Sequence, residues 1–238
     1  SSESIISQID RKIDASLGRL QRNFVELYQL HNRIQNVSDK NNFSVKDVLK
    51  KGGVADAMEK FKSDGRIKSI GITALGDIDA INEVVLSDCF DVAQIYYNLL
   101  NPSASFSTQG KWNDQNFSNL IKNCKSKDMG LMNIRIYAAG YLATDKRHGR
   151  EIPITYGINE TELNKRVEKI NLIMRDIQGT KAQKALRYGL SNDDMSTIVI
   201  GLAEILHLEE ALEGYELGSL DEEILRKIEE LQKNNFIN

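Results

Sequence analysis

The stretch NFVELYQLHN, residues 23–32, contains the first strand-like segment of the chain and ends on a histidine. Its apolar part, FVELYQL, is too short for an amphipathic helix and is bounded by polar residues. Apolar residues at helical spacing precede it, behind a serine, and predict a helix over residues 3–20. Residues 23–32 are therefore predicted to form a buried strand that follows a helix.

The same alternation of helix and strand continues to the end of the chain. Further strands are predicted at IKSIGIT (67–73), VAQIYYN (92–98), LMNIRIY (131–137) and STIVIG (196–201). One helix is predicted from Val54 to Gly65, and a second begins after Asp77, which caps it. Further helices are predicted from Phe117 to near Gly130 and over 160–176, 180–189, 207–215 and 221–234. Near-continuous apolar strands, each followed by a helix, favour a parallel sheet with helices on both faces. No composition shift marks a boundary, so residues 1–238 are predicted to form a single domain.

Five parallel strands fit either an open doubly wound sheet or part of a (β/α)8 barrel. An open nucleotide-binding sheet usually has a glycine-rich turn after its first strand, and no such turn follows His31. In a barrel, functional groups gather at the carboxyl ends of the strands. Those ends carry small or polar residues here, which favours the barrel: His31, Thr73–Ala74, Tyr97–Asn98, Arg135–Tyr137 followed by AAG, and Gly201.

Composition excludes several classes of protein. Hydrophobic residues are 41% and charged residues 27%, which is a globular balance, and the net charge of −3 gives no sign of a nucleic-acid or membrane-surface partner. No apolar run approaches the roughly 18 residues that span a bilayer, and the first residues do not resemble a signal peptide. Cys89 and Cys124 fit no metal or redox spacing and are predicted to be reduced, buried thiols. A cytoplasmic protein is expected.

Five segments, taken in order, resemble the aldo-keto reductases. IDASLGRLQRNFVELYQLHN is similar to the family's helix and strand that lead to its catalytic histidine, and later passages of the family are matched by KSDGRIKSIGIT, FDVAQIYYNLLN, GLMNIRIYAAGYL and STIVIGLAEILHLEEAL. GITALGD and YYNLLNPSA look most like the branch of sugar dehydrogenases of the galactose and fucose type. The resemblance implies a (β/α)8 TIM barrel of which this chain holds strands 4 to 8, with strands 1 to 3 missing.

The resemblance also implies a reaction. Members of the family transfer a hydride between NAD or NADP and a carbonyl or sugar, using a tyrosine proton donor, a lysine, an aspartate and a histidine that orients the carbonyl. His31 matches that histidine. The aspartate, tyrosine and lysine would belong to the missing units, so the chain by itself is expected to be inactive.

The nicotinamide end of the cofactor is expected at three places. Thr73–Ala74 matches the usual Ser-Asn pair that holds the carboxamide, and keeps the hydroxyl but not the amide. Gln94 matches the glutamine that grips the same group. Ile134 stands where an aromatic ring often stacks on the nicotinamide, and supplies no π-face.

The remaining cofactor contacts are expected near two loops. Ala138 and Gly140 belong to the AAG loop that would bind the pyrophosphate through its backbone amides. The stretch GLAEILH contains Gly201, Glu204 and His207, and Glu210 matches the glutamate that contacts adenine. A 2′-phosphate would be bound by Arg or Lys, and this stretch offers only His207, so NAD is favoured over NADP.

Two other readings stay open at this stage. A non-catalytic barrel that acts as a binding or regulatory subunit is favoured by the substitutions at Ala74, Ile134 and Ala211, and an open sheet with similar motifs is the other. Substrate choice is expected to depend on the loops 32–53, 99–113 and 143–160. Trp112, in the second of them, fits either a substrate-pocket wall or the barrel exterior. The sequence identifies neither the substrate nor the oligomeric state.

Overall fold

The structure is a computed structural model that describes residues 3–107, 112, 114–146, 149 and 157–237. Its helices are α1 (Ile5–Leu20), α2 (Val45–Leu49), α3 (Val54–Ser63), α4 (Ile78–Leu86), α5 (Leu120–Ser126), α6 (Glu160–Ile173), α7 (Lys181–Leu190), α8 (Ile205–Glu216) and α9 (Glu222–Lys233). Its strands are β1 (Val25–Leu30), β2 (Ile34–Gln35), β3 (Phe43–Ser44), β4 (Ile67–Thr73), β5 (Val92–Tyr96), β6 (Gly130–Ile134) and β7 (Thr197–Val199). Every helix and strand predicted from the sequence is present, with ends shifted by a few residues. The first strand, predicted to be buried, is mostly half-buried, and within it only Leu30 is buried.

Two short strands and one short α-helix were not predicted within the expected loop 32–53, and a 3-10 helix at Ala138–Gly140 was not predicted either. β2 and β3 pair in parallel as a separate two-stranded sheet, and α2 has five residues. Ser44 and Asp47 form a capping box at the start of α2, in which each side chain bonds the other residue's backbone N–H. Elements this short carry too few residues for a periodic pattern, so the sequence gives no signal for them.

The chain divides into two compact units, Ser1–Ile95 with Lys122–Leu131, and Tyr96–Ile121 with Met132–Asn238. The single domain predicted for residues 1–238 stays a prediction. None of the helices in the described ranges is both long and apolar enough to cross a membrane.

The first unit is built on three parallel strands in the order β1-β4-β5. The register places Leu30 opposite Ile72 and Thr73 opposite Gln94. Helices α1, α3 and α4 bury apolar side chains, among them Ile13, Phe61 and Val84. Each such side chain contributes roughly 1.5 to 3 kcal/mol when it leaves water. This core fixes the three strands, so the residues at their carboxyl ends are held in a constant arrangement.

The second unit contains the parallel pair β6 and β7, with Ile134 opposite Val199. Helix α7 comes close to these strands at Gly189, where an added Cβ would lie only 2.6 Å from Ile136 Cδ1 and 3.0 Å from Ile198 Cδ1. Helix α8 presents Gly214 to α7 for the same reason, since a Cβ there would lie 3.0 Å from Gln183 Cγ. Small residues therefore set the positions of both helices.

Two local predictions need correction. Asp77 occupies the position before α4, as predicted, but its Oδ2 accepts a hydrogen bond from the backbone N–H of Asn36 (2.9 Å) and does not cap its own helix. Cys124 is buried as predicted, and burial raises the pKa of its thiol to about 12. Cys89, in contrast, is exposed, because it lies in the turn after α4 and outside the helix's apolar face.

Candidate functional site

Three of the predicted site residues meet at the carboxyl ends of β1, β4 and β5. His31 Nδ1 lies 3.0 Å from Thr73 Oγ1, and the Thr73 hydroxyl donates to Gln94 Oε1 at 3.0 Å. Gln94 Nε2 donates in turn to Gln29 Oε1 at 2.9 Å. His31, Thr73 and Gln94 were predicted from the sequence and Gln29 was not. The four side chains form one continuous hydrogen-bonded chain.

This cluster has a buried base and an exposed end. Thr73 is 1% exposed and Gln29 and Gln94 are half-buried, whereas His31 is exposed. Next to them, Ala74 is fully buried and its N–H continues the sheet by donating to the Gln94 carbonyl at 3.0 Å. The cluster therefore holds the exposed His31 ring through Nδ1, and the opposite side of the ring, with Nε2, faces solvent.

Gln29 escaped prediction because a polar residue in a strand has no motif of its own. The available signal was Gly71 in the middle of IKSIGIT, since a glycine inside a strand often marks a close approach. A Cβ on Gly71 would lie 2.8 Å from the Val92 carbonyl oxygen and 3.1 Å from Gln29 Nε2. Gly71 thus provides the space that the Gln29 side chain occupies.

The second unit contains a cavity of about 760 Å³ between the loops after β6 and β7 and the starts of α7 and α8. Its lining includes the predicted residues Gly140, Gly201, Glu204, His207 and Glu210, together with Tyr137. Among the described residues, the lining includes neither Ile134, which is half-buried on β6, nor Ala138, which is buried. Five residues that the sequence analysis assigned to cofactor binding therefore line the same cavity.

The loop after β6 has an unusual backbone. Arg135 (φ 62°), Ala138 (φ 46°) and Ala139 (φ 57°) adopt left-handed conformations, which cost a residue with a side chain about 1 kcal/mol each, and Gly140 follows at φ 98°. Within the loop, the N–H of Ala138 donates to the Arg135 carbonyl and the N–H of Gly140 to the Tyr137 carbonyl, both at 2.9 Å. Strain of this kind is common at functional sites.

Glu210 is held in place by the start of α7. Its Oε1 accepts a hydrogen bond from the Thr180 hydroxyl at 2.6 Å, and Gln183 Nε2 donates to its backbone carbonyl at 3.1 Å. Burial and the negative charge of Glu210 both raise the pKa of Tyr137, so that phenol stays protonated at neutral pH. The cavity wall at this point is a fixed carboxylate beside a neutral ring.

Glu204 and His207 lie at the start of α8. Glu204 is exposed and occupies the position before the helix, while the N–H of Ala203 donates to His207 Nδ1 at 3.4 Å. Nδ1 therefore acts as an acceptor, and the proton of the neutral His207 ring is on Nε2. No lysine or arginine appears among the described residues that line the cavity.

Comparison with known proteins identifies the family. The sequence model of the aldo/keto reductase family matches residues 1–233. The chain belongs to the aldo/keto reductase family. A sequence relative of this chain is L-galactose dehydrogenase from Arabidopsis thaliana, 25% identical over 226 residues, which cover 93% of this chain and 63% of that protein.

Solved structures of aldo-keto reductases share the fold. The chain superposes with aldo-keto reductase AKR11C1 from Bacillus halodurans (holo form) at a TM-score of 0.70 and 19% identity, over 95% of this chain and 65% of that one. For the aldo/keto reductase from Klebsiella pneumoniae in complex with NADP and acetate, the TM-score is 0.61 at 17% identity, over 94% and 64%. The chain thus spans less than two thirds of the length of these relatives.

These matches correct one prediction about the fold. The (β/α)8 fold of the aldo-keto reductases agrees with the sequence analysis, but the prediction that strands 1 to 3 are missing is wrong. The family match begins at residue 1 and runs to residue 233, and the structural match covers 95% of the chain. The prediction numbered strands from short motifs, whereas a strand's place in a barrel is set by hydrogen-bonding order and shear, which motifs do not encode.

Trp112 lies in one of the predicted specificity loops and is held by two contacts. The Arg166 guanidinium lies over the Trp112 ring, 5.3 Å from its centroid, and Trp112 Nε1 donates to the Gln115 carbonyl at 3.3 Å. Trp112 is half-buried beside Arg166, and the two alternatives, a substrate-pocket wall or the barrel exterior, stay predictions. Parts of the loops 99–113 and 143–160, namely 108–111, 113, 147–148 and 150–156, lie outside the described residues.

Proposed function

We propose that this chain acts in nicotinamide-dependent hydride transfer to or from a carbonyl or sugar substrate. The observation that carries the proposal is the hydrogen-bonded link between His31, Thr73 and Gln94, at 3.0 Å each, in a chain of the aldo/keto reductase family. Hydride transfer to a carbonyl places negative charge on its oxygen, and a group that orients that oxygen must lie within about 3 Å of it. His31 is exposed and anchored by one nitrogen, which suits this role.

The second unit's cavity supports a site for the adenosine and pyrophosphate portion of the cofactor. Gly201 has no atom within 4 Å of where a Cβ would be, so its backbone leaves room for a ligand. Glu210 is fixed by Thr180 and offers a carboxylate to hydrogen-bond donors of an adenosine. Gly140 lies in the strained loop at the same cavity. Thr73 and Gln94 would bind the carboxamide in the first unit.

We propose NAD as the cofactor. One solved relative is described in complex with NADP and another in complex with NADPH. In this chain, however, the cavity wall carries the carboxylates of Glu204 and Glu210, which would repel a 2′-phosphate. His207 is the one side chain in the described lining that can become positively charged.

Cofactor affinity tests both proposals. We expect fluorescence titrations to give a lower dissociation constant for NADH than for NADPH. In Glu204→Gln, the ratio of the two dissociation constants should fall by about tenfold, because a like-charge repulsion of about 1.4 kcal/mol between Glu204 and the 2′-phosphate is removed. Glu209→Gln is the matched control, since Glu209 is an exposed carboxylate of the same helix outside the cavity lining. Tighter binding of NADPH would contradict the NAD assignment, and no binding of either would contradict the proposed function.

Turnover separates the enzyme from the alternative of a binding or regulatory subunit. Ala211 favours that alternative, because the residue at the usual asparagine position is 6% exposed and packed within the second unit. The relative named L-galactose dehydrogenase makes L-galactose the first substrate to try. Growth of absorbance at 340 nm with NAD and the sugar would support the enzyme, whereas cofactor binding without turnover would favour the alternative.

A further inference from the structure

The capping box at the start of α7 also contacts α8. Within the box, the backbone N–H of Gln183 donates to Thr180 Oγ1 at 3.2 Å, and the backbone N–H of Thr180 donates to Gln183 Oε1 at 2.9 Å. These two bonds satisfy N–H groups that have no partner inside the helix. Both side chains have further protons to donate, and each of those protons goes to a residue of α8.

Gln183 fixes the backbone of Glu210. It is 6% exposed, and its Nε2 donates to the Glu210 carbonyl and to Glu213 Oε2, both at 3.1 Å. Its partners are an N–H, a carbonyl and a carboxylate, so the amide can take only this orientation. Gly214 permits the close approach, since a Cβ there would lie 3.0 Å from Gln183 Cγ. The part of α8 that carries Glu210 is therefore held against the start of α7.

Thr180 fixes the side chain of Glu210. The Thr180 oxygen accepts from the Gln183 N–H, and its one proton goes to Glu210 Oε1, which is 2.6 Å away. Glu210 Oε2 makes no hydrogen bond with any residue in the part of the chain that the structure describes. Because Glu210 lines the cavity of about 760 Å³, one carboxylate oxygen is anchored and the other is left as an acceptor for a bound molecule.

We propose that Thr180 and Gln183 are positioning residues that hold the free oxygen of Glu210 against the exocyclic amino group of the cofactor's adenine. A single acceptor in a fixed place selects a base with a donor at that position. Hypoxanthine has a carbonyl oxygen there, so two acceptors would meet and one would lose its hydrogen bond. The contact with adenine rests on the proposed function, whereas the anchoring of Glu210 rests on the hydrogen bonds alone.

Two dinucleotides that differ at this group test the proposal. Reduced nicotinamide hypoxanthine dinucleotide carries a carbonyl oxygen in place of the adenine amino group of NADH, and the fluorescence of its nicotinamide reports binding to the full chain in the same way. For the wild type, we expect the dissociation constant of NADH to be about tenfold lower. Equal constants would overturn this inference and leave the proposed function intact, whereas failure of both dinucleotides to bind would overturn both.

Variants of Thr180 separate positioning from capping. Thr180→Asp keeps an oxygen that caps α7 but has no proton to donate to Glu210, so the preference for NADH should disappear. Thr180→Ser keeps the hydroxyl and should keep the preference. The added charge of Thr180→Asp repels the pyrophosphate of both dinucleotides, so the ratio of their dissociation constants does not contain that effect. An unchanged ratio in Thr180→Asp would overturn the role of Thr180.

Asn159→Asp is the matched control for this variant. Asn159 is the capping residue of α6 in the same unit, where its Oδ1 accepts from the Glu162 N–H at 3.0 Å, and it is not among the residues of the cavity lining. The exchange also places a carboxylate at the start of a helix. The ratio of the two dissociation constants should stay at its wild-type value, and a loss of the preference here would assign the effect of Thr180→Asp to charge alone.

Glu210→Gln tests the direction of the anchoring bond and leaves the cap of α7 untouched, so it decides the question even if Thr180→Asp does not fold. The Thr180 hydroxyl would hold the new amide oxygen, the amide nitrogen would face the base, and the preference should change to the hypoxanthine dinucleotide. When Thr180→Asp is combined with Glu210→Gln, the aspartate accepts from the amide nitrogen, the amide oxygen faces the base, and NADH should be preferred again. A preference for NADH that persists in Glu210→Gln alone would overturn the proposal.

Discussion

Among single residues, Asn133 conflicts most directly with the rules for buried polar groups. It lies on β6 with no exposed surface, and neither its Oδ1 nor its Nδ2 has a hydrogen-bond partner among the described residues. Its surroundings in the second unit are apolar, as a Cβ on Gly189 would contact Asn133 Nδ2, Ile136 and Ile198 together. A buried amide without partners destabilises a fold by about 1 to 3 kcal/mol.

Replacing this amide should therefore stabilise the protein. We expect Asn133→Leu to raise the free energy of unfolding by about 1 to 3 kcal/mol, because the desolvation penalty disappears while the branched shape and the number of side-chain heavy atoms are kept. The matched control is Asn98→Leu. Asn98 is also fully buried, but its Oδ1 accepts from the Leu100 and Asn101 N–H groups and its Nδ2 donates to the Arg135 carbonyl. Urea unfolding should show opposite signs for the two variants, and the same sign would contradict the assignment.

At the scale of elements, the loop after β6 stores backbone strain beside the cavity. Alanine at φ 57°, as in Ala139, is less favourable than glycine, because its Cβ is crowded by the backbone in the left-handed region. The strain persists because the flanking residues are fixed: the Tyr137 carbonyl accepts from the N–H groups of both Gly140 and Leu142.

We expect Ala139→Gly to raise the free energy of unfolding by about 1 kcal/mol, since glycine adopts this conformation without steric cost. Ala143→Gly is the control, because Ala143 lies in the same segment outside the left-handed positions and glycine there only adds freedom to the unfolded chain. Thermal unfolding of both variants checks the prediction. A lower melting temperature for Ala139→Gly would show that the conformation is not strained.

The start of α2 gives a pH-dependent prediction. Hydrogen bonds from Lys50 and from Ser44 lower the pKa of Asp47 from its ordinary 3.8 to about 2. A group whose pKa is lower in the folded state stabilises that state above its unfolded pKa, and this contribution is lost as the pH falls from about 4 to about 2. Since the pair is partly exposed, we expect about 1 kcal/mol.

Hydrogen exchange of the α2 amides between pH 2 and 6 measures this effect. In the wild type, protection of α2 should decrease as the pH falls through that range, and in Asp47→Asn it should be low throughout. Ser44→Ala breaks the other half of the capping box and should weaken the same pH dependence. A pH dependence that survives in Asp47→Asn would assign it to another carboxylate.

At the scale of the whole chain, distant segments of the second unit meet at a buried charge. Arg166, on α6, has no exposed surface and donates to the Leu100 carbonyl (3.1 Å) and to Asn235 Oδ1 (3.3 Å). Its guanidinium also lies 4.5 Å from the centre of the Phe236 ring and 3.7 Å from Asp114, whose side chain is 4% exposed. One side chain thus joins the loop after β5, helix α6 and the end of the chain.

Removing this charge should destabilise the second unit strongly. We expect Arg166→Met to lower the free energy of unfolding by about 3 to 5 kcal/mol, because the buried Asp114 carboxylate and two acceptors lose a cationic partner. Arg175→Met is the control, as Arg175 is 74% exposed and its loss should change stability by less than about 0.5 kcal/mol. Urea unfolding compares the two, and equal effects would contradict the role of Arg166.

Local sequence patterns were enough to predict the order of the helices and strands. Apolar runs and helical spacing are local properties, so β1, β4, β5, β6 and β7 were all predicted. The carboxyl ends of parallel strands share one edge of a sheet, and this rule placed His31 and Thr73 on the same face of the predicted barrel. Their direct contact was seen only in the structure. Family motifs added Gln94 and the residues of the second unit's cavity.

Other features depend on contacts between segments that are distant in the sequence. Gln29 enters the His31 cluster only because Gly71, on another strand, makes room for it. Arg166 is buried because residues far apart in the chain pack around it. Cys89 is exposed because it lies in the turn after α4. The local sequence pattern predicts on which face of its helix or strand a residue lies. Which side chains pack against that face, and how many hydrogen-bond partners they provide, depends on tertiary packing that no local pattern encodes.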